Sequence, residues 1–167
     1  TAMVELDRQL SRCRLVIDAV LGTGRSRPLE GAVKEAMLRL AARRQGHRPP
    51  LLLALDLPTG LSPDTGEVDP ACPYADMTVA LGLPKRGLLA FPGADRAGRL
   101  VVVDIGLPSD LVEEKEILLE LLGPEWVSRR LPYRPLDSHK GNFGHALVVV
   151  GSRNYVGAAF LACQAAV

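Results

Sequence analysis

Arg14-Leu-Val-Ile-Asp-Ala-Val-Leu21, followed by Gly22-Thr-Gly-Arg-Ser-Arg-Pro28, decides the fold. The first stretch is a short apolar run rich in β-branched residues, and a glycine-rich loop bounds it, so it reads as a buried strand. Beyond the loop, Ala32, Val33, Ala36, Met37, Leu40 and Ala41 recur at helical spacing, while Lys34, Glu35, Arg39 and Arg43 fall on the other side. That helix ends near Gly46, because Pro49-Pro50 cannot continue it. Pro50-Leu-Leu-Leu-Ala-Leu-Asp56 is a second buried strand. Both strands carry charge at most at their ends, and a helix joins them. This is the pattern of a βαβ unit in a parallel sheet with helices on both faces, an α/β fold of Rossmann-like type.

Working outward, Met3, Leu6, Leu10 and Cys13 share one face of a helix over residues 3–13. A long loop runs through Pro58, Gly60, Pro63, Gly66 and Pro70. Met77-Thr-Val-Ala-Leu81 and Leu100-Val-Val-Val-Asp-Ile105 add two strands. From Pro108 a charged amphipathic helix is expected through Leu121, closed by Gly123-Pro124. After an arginine- and proline-rich stretch, Ala146-Leu-Val-Val-Val150 reads as another buried strand and Gly157 onward as a helix. These last ~45 residues are too few to bury a core of their own. The expected organisation is a first domain over 1–107, a linker helix over 108–123, and the start of a second domain over 124–167. Thr1 enters a helical pattern almost at once and Val167 stops inside one, so both ends read as cuts through a longer chain.

Composition narrows the classes. Apolar residues make up 47% and aromatic ones only 4%, which suits a Leu/Val/Ala-packed layered fold and not a disordered chain. With a net charge of +1 and scattered arginines there is no basic stripe for nucleic acid. Apolar runs are short and flanked by charge, so no membrane span or signal peptide is expected. Cys13, Cys72 and Cys163 form no C-x-x-C pair; an odd count at wide spacing points to reduced thiols in a cytoplasmic protein.

Three loops follow the strands at the sheet edge where ligands bind in open parallel sheets. In the first, Gly22 and Gly24 let the backbone turn tightly and present N–H groups to an anion, helped by the dipole of the next helix. It is not the dinucleotide fingerprint, since Arg27 stands at the third glycine position, nor a P-loop, since no Gly-Lys-Ser/Thr follows; the alternative is a plain strand-to-helix turn. In the second, Asp56 ends a buried strand as Asp18 does on the strand before. The two carboxylates could hold a cation or share acid–base work, or each could simply cap a turn. In the third, Gly82-Leu-Pro-Lys85-Arg86-Gly87, Lys85 could touch a phosphate or polarise a substrate, or be a solvated loop lysine.

Taken together, the strings Asp18-Ala-Val-Leu-Gly-Thr-Gly24, Asp56-Leu-Pro-Thr-Gly-Leu61 with Asp64-Thr-Gly-Glu-Val68, Gly82-Leu-Pro-Lys-Arg-Gly87, Pro92-Gly-Ala-Asp95 and Val103-Asp-Ile-Gly106 resemble the NAD(P)H-hydrate epimerase domain. Asp137-Ser-His-Lys-Gly-Asn-Phe-Gly144, then Gly151-Ser152 and Gly157-Ala-Ala159, resemble the opening of the ADP-dependent dehydratase domain, a ribokinase-like fold. Both in this order resemble the fused, bifunctional repair enzymes. The resemblance implies a substrate, NAD(P)H hydrated on its ring, whose R and S forms the epimerase interconverts; the dehydratase then removes water from the S form using ADP (or ATP). It implies a potassium ion held by an upstream Asn, Asp18 and Thr59, with Thr59 replacing the commoner serine. It implies substrate contacts at Gly22, Thr23, Gly24, Arg25, Ser26, Arg27 and Pro28, at Asp56, and at Ala158 or Ala159; His139, Lys140, Gly141 and Gly144 match the dehydratase's opening motif. Lys85 joins the candidate substrate contacts. Inversion needs a proton moved at the hydroxyl, so Asp56 is the expected acid–base group.

The epimerase's Asn-Asn-Gly-Gly-Asp-Gly loop would precede Thr1 and the dehydratase's Gly-x-Gly-Asp segment would follow Val167, so these 167 residues by themselves are expected to be inactive. Two other readings compete: a non-catalytic nucleotide- or partner-binding module, against which Asp18, Asp56, Thr59 and Lys85 stand intact, and an unrelated Rossmann-like nucleotide enzyme, which the irregular glycine loop disfavours. A homo-oligomer of the full-length protein is left open.

Overall fold

The computed structural model describes residues 2–24, 28–108, 119–139 and 141–166. The chain divides into two compact units, with the boundary along the sequence between Leu121 and Leu122. In the first, α1 (Ala2–Arg12), β1 (Leu15–Asp18), α2 (Gly31–Arg44), β2 (Leu51–Leu55), β3 (Met77–Leu81), α3 (Gly93–Ala97) and β4 (Arg99–Val103) follow in chain order. The strands form one parallel sheet in the order β1-β2-β3-β4. The α/β parallel architecture read from the sequence is therefore present, each strand starting and ending within a few residues of the expected run.

Register shows how the sheet is packed. Val16 pairs with Leu52, Asp18 with Ala54, Ala54 with Thr78 and Thr78 with Leu100. These residues lie on one face, where Leu52, Ala54, Thr78 and Ala80 are buried. Leu10, Leu29, Met37 and Leu40 from α1, α2 and the loop before α2 pack with Leu52 and Ala54. Leu57, Leu61, Cys72, Leu88 and Ala97 form a second cluster with Ala80. Thr78 is a hydroxyl in this apolar layer, and it donates to the Ala97 carbonyl at 2.7 Å, so its burial leaves nothing unpaired. On the opposite face, among the described residues, Leu15, Ile17, Leu51 and Leu55 stand exposed, so helix coverage there is one-sided.

The connection from β2 to β3 holds a Leu61–Val68 bridge, followed by Asp69 and Pro70. Asp69 Oδ1 accepts from Ala71 N–H and Oδ2 from Leu29 N–H, both at 2.8 Å, tying this connection to the segment that enters α2.

The second unit holds α4 (Pro124–Arg130) and α5 (Gly157–Ala165). The linker helix expected from Pro108 falls largely outside the described residues; 119–123 carry no helix, and α4 starts with Pro124 at its first position. The strand expected over 146–150 forms no ladder: Leu147 and Val149 are largely exposed. An apolar β-branched run becomes a strand only when another strand accepts its hydrogen bonds, and among the described residues none does.

Candidate functional site

β1 and β2 are parallel neighbours, so their C-terminal ends reach the same rim of the sheet, and the two strand-end carboxylates arrive together. Asp18, the last residue of β1, points into the core side and is 2% exposed. Thr59, fully buried, meets it: its N–H donates to Asp18 Oδ2 at 2.8 Å and its hydroxyl to Oδ1 at 2.6 Å. Thr59 Oγ1 in turn accepts from Leu21 N–H at 3.1 Å, which fixes the first step of the glycine turn. Among the described residues Asp18 receives hydrogen bonds only from neutral groups, and no lysine or arginine pairs with it. A buried carboxylate without a counter-charge is costly. A carboxylate beside a hydroxyl is a set of hard oxygen donors of the kind that fits an alkali cation, the ion that the family resemblance implies.

Asp56 follows β2 directly, and its backbone is unusual: φ is 71°, in the left-handed region. Leu57 N–H donates to the Leu55 carbonyl at 2.9 Å, closing a three-residue turn centred on Asp56. Such a turn is strained for any residue other than glycine and persists only where neighbours over-determine it. They do so here. Asp56 N–H donates to the Val79 carbonyl at 2.8 Å, and its Oδ1 accepts from Leu81 N–H at 3.1 Å and from the Lys85 ammonium. Oδ2 accepts no hydrogen bond among the described residues; it lies 3.5 Å from where a side-chain carbon on Gly22 would stand. The side chains of Asp56 and Lys85 are each less than a fifth exposed.

The rim thus brings together Asp18, Thr59, Asp56, Lys85 and Gly22. Thr23, Gly24 and Pro28 are exposed along the same turn. Arg25, Ser26 and Arg27 lie outside the described residues, as does Lys140. Ala158 and Ala159 sit in the first turn of α5 in the second unit. In the motif that precedes it, His139 Nδ1 accepts from Gly141 N–H at 3.2 Å and Asn142 Oδ1 from His139 N–H at 2.8 Å, a self-contained turn. Lys85, a candidate phosphate or substrate contact, spans Asp56 Oδ1 and the Leu81 carbonyl, the latter at 2.8 Å. Asp69 escaped the sequence reading. Its Asp-Pro-Ala context marks a local side-chain turn, but its hold on Leu29, 40 positions earlier, is a tertiary contact.

The sequence matches the family described as YjeF-related protein N-terminus over residues 1–87. It is 40% identical over 156 residues to a protein of Thermofilum pendens named bifunctional NAD(P)H-hydrate repair enzyme Nnr. It is 41% identical over 152 residues to the protein of that name from Moorella thermoacetica, and 45% over 152 residues to that from Hyperthermus butylicus. These alignments cover 93%, 91% and 91% of this chain but 28%, 28% and 26% of the relatives, so the chain spans little more than a quarter of their length.

Proposed function

Since the chain belongs to the family described as YjeF-related protein N-terminus, we propose that its sheet rim is the epimerase site of a repair enzyme acting on NAD(P)H hydrated at the nicotinamide ring. The observation that carries the reading is Asp56: a carboxylate in a strained turn, with one oxygen pinned and the other turned to an exposed glycine loop. Strain of this kind, worth roughly 1–3 kcal/mol, concentrates at functional sites. The names of the relatives supply the substrate class.

The glycine turn offers its backbone N–H groups to the anionic part of the nucleotide, and Asp56 Oδ2 faces the hydroxyl-bearing carbon. Inversion moves one proton at that hydroxyl by either of two routes. The carboxylate takes it as the C=O bond forms and the ring C–N bond breaks, the electron pair of that bond staying on the ring nitrogen and spreading into the conjugated carboxamide; or the carboxylic acid gives it as the C–O bond breaks, water leaves and the ring nitrogen's lone pair forms an iminium. The nitrogen then re-adds to the other face of the aldehyde, or water to the other face of the iminium, and the proton transfer is reversed. Asp18 and Thr59 would hold a potassium ion, which when bound supplies positive charge beside the negatively charged nucleotide. By the same reading, 124–167 open an ADP-dependent (or ATP-dependent) dehydratase that consumes the S form, with Ala158 or Ala159 at its hydrate contact. Free cysteines at 13, 72 and 163 suit the reducing cytoplasm, and no helix among the described residues is long and apolar enough to cross a membrane.

The test uses the protein of the whole reading frame that contains this sequence. Pure R hydrate is supplied and the R/S ratio followed by chromatography. Wild type brings the mixture to equilibrium, whereas Asp56→Asn retains binding and slows interconversion by about 10²–10⁴ fold, the usual share of a general acid–base group. Asparagine tolerates the left-handed backbone nearly as well as any side chain, so this substitution probes the proton and not the turn. An unchanged rate removes Asp56 from the reaction; a wild-type protein that binds the hydrate without interconverting it favours the binding-module reading.

A further inference from the structure

We infer that Lys85 is a positioning residue for Asp56 and not a substrate contact. The inference rests on the epimerase reading above and adds a role to one residue of that site. A lysine ammonium has three N–H donors and no acceptor. Here one donor goes to Asp56 Oδ1 and one to the Leu81 carbonyl at 2.8 Å. Leu81 also sends its own N–H to Asp56 Oδ1 at 3.1 Å. Lys85, Leu81 and Asp56 therefore form a closed ring of contacts at the end of β3, two of them directed at one oxygen of the carboxylate and the third tying Lys85 to the strand.

The consequence is a division of labour between the two oxygens. Oδ1 is held by two donors, one charged and one from the backbone. Oδ2 is left to the side of the glycine turn, 3.5 Å from the place of a Gly22 side-chain carbon. A carboxylate free to rotate about its last torsion would present either oxygen, and that torsion is soft. Lys85 removes this freedom. The ion pair also keeps the proton-transfer group in a defined orientation while its backbone stays at a φ of 71°. A lysine whose side chain is less than a fifth exposed, with an ammonium already shared between two acceptors, is poorly placed to reach a phosphate as well.

The test is a kinetic cycle in the whole-frame protein with wild type, K85M, K85R, D56N and D56N/K85M, each checked by thermal unfolding. Positioning predicts that K85M lowers kcat by at least about tenfold with KM within about twofold, because the loss falls on the transition state. K85R, which restores a charged donor, recovers most of kcat. D56N/K85M is no slower than D56N, because Lys85 has nothing left to position. A substrate contact behaves otherwise: K85M then raises KM with kcat intact, and the double variant is worse than either parent. That outcome overturns the inference, as does a K85M enzyme with unaltered kinetics. If K85M does not fold, K85Q takes its place, with the same expected split between kcat and KM. A wild-type protein that fails to interconvert the epimers overturns the function and the inference together; an active wild type with an indifferent K85M overturns the inference by itself.

Discussion

The sheet has an aspartate clamped by a basic residue at each of its rims, and the two clamps are built to different ends. At the N-terminal rim, Asp76 precedes β3. Its Oδ2 accepts from Leu52 N–H at 2.6 Å and from the Arg44 guanidinium at 2.7 Å, and its Oδ1 accepts from Arg44 at 3.1 Å. Both oxygens are used, and what they hold is α2 against β2 and β3. At the C-terminal rim, Asp56 is held through one oxygen only, from a strained backbone, and the second oxygen faces a loop with no partner among the described residues. A saturated carboxylate on relaxed backbone serves the fold. A half-saturated one on strained backbone is what a reaction needs. Substitutions at the two rims should therefore differ in kind: stability suffers at the first, activity at the second.

The largest effect on stability is expected beside Asp76. Gly98 has a φ of 59° and leads into β4; a side-chain carbon there would lie 2.4 Å from the Ala75 carbonyl oxygen and 2.6 Å from the Asp76 backbone. Backbone cannot move aside as a flexible side chain can. Gly98→Ala should cost about 2–5 kcal/mol, combining overpacking with left-handed strain, or prevent folding. Chemical denaturation of the purified protein measures this. A loss under about 1 kcal/mol would show that the N-terminal rim is more plastic than its close packing implies.

A smaller effect is expected at Asp76 itself. Asp76→Ala removes an acceptor from Leu52 N–H and a partly exposed ion pair; solvent screening limits the latter, so roughly 1–2 kcal/mol is expected in all. Its pH dependence has a definite sign. The hydrogen bonds from Arg44 hold the Asp76 carboxyl below its ordinary value of 3.8, with Leu52 N–H helping and desolvation opposing. A lowered folded-state value means that the stabilisation is fully present above pH 3.8 and is lost as pH falls through the lower folded value. The gap between wild type and variant should be flat near neutrality and close in acid; a gap that does not narrow below pH 3.8 would mean the charge contributes nothing.

The contrast between the rims was only half legible in the sequence. β1, β2, β3 and β4 could be read because buried parallel strands are near-continuous apolar runs, and Asp18 and Asp56 stood out as charges at the ends of such runs. The glycine turn was legible from composition. Three things were not. The left-handed φ of Asp56 leaves no mark, because aspartate is common in ordinary turns as well. The Asp56–Lys85 pair joins residues 29 positions apart, and Arg44–Asp76 joins residues 32 apart; a one-dimensional pattern shows charges but not who meets whom. The short α3 has too few turns to show periodicity. The stretch at 146–150 makes the converse point: its composition matches that of β4, yet it forms no strand, because composition states a preference and only a neighbouring strand satisfies it.

Two smaller effects separate packing from chemistry. Cys72 is buried at the heart of the second cluster, and desolvation, only partly opposed by Arg96, pushes its thiol up to about 12. It should stay a neutral thiol near pH 7 and resist alkylation by iodoacetamide under native conditions, while the exposed Cys163 reacts first. Rapid labelling of Cys72 would mean that the cluster beneath the C-terminal rim opens readily.

The smallest effect on stability, and the most discriminating for function, belongs to Gly22→Ala. Gly22 does not have a left-handed φ, and the nearest atom to an added methyl is Asp56 Oδ2 at 3.5 Å, ordinary van der Waals contact. Folding should therefore be unaffected or gain up to about 1 kcal/mol from the stiffer unfolded chain. The methyl would nevertheless rest against Asp56 Oδ2 and crowd the approach of a hydroxyl to that oxygen. Interconversion of the hydrate epimers should fall by at least about tenfold, since a proton transfer that loses contact loses most of its advantage. Unchanged stability with lost activity would mark this rim as a reaction site in the same sense that Gly98→Ala marks the other as scaffold. Unchanged activity would mean that the free oxygen of Asp56 is not where the proton moves, and the asymmetry between the two clamps would then be a matter of folding only.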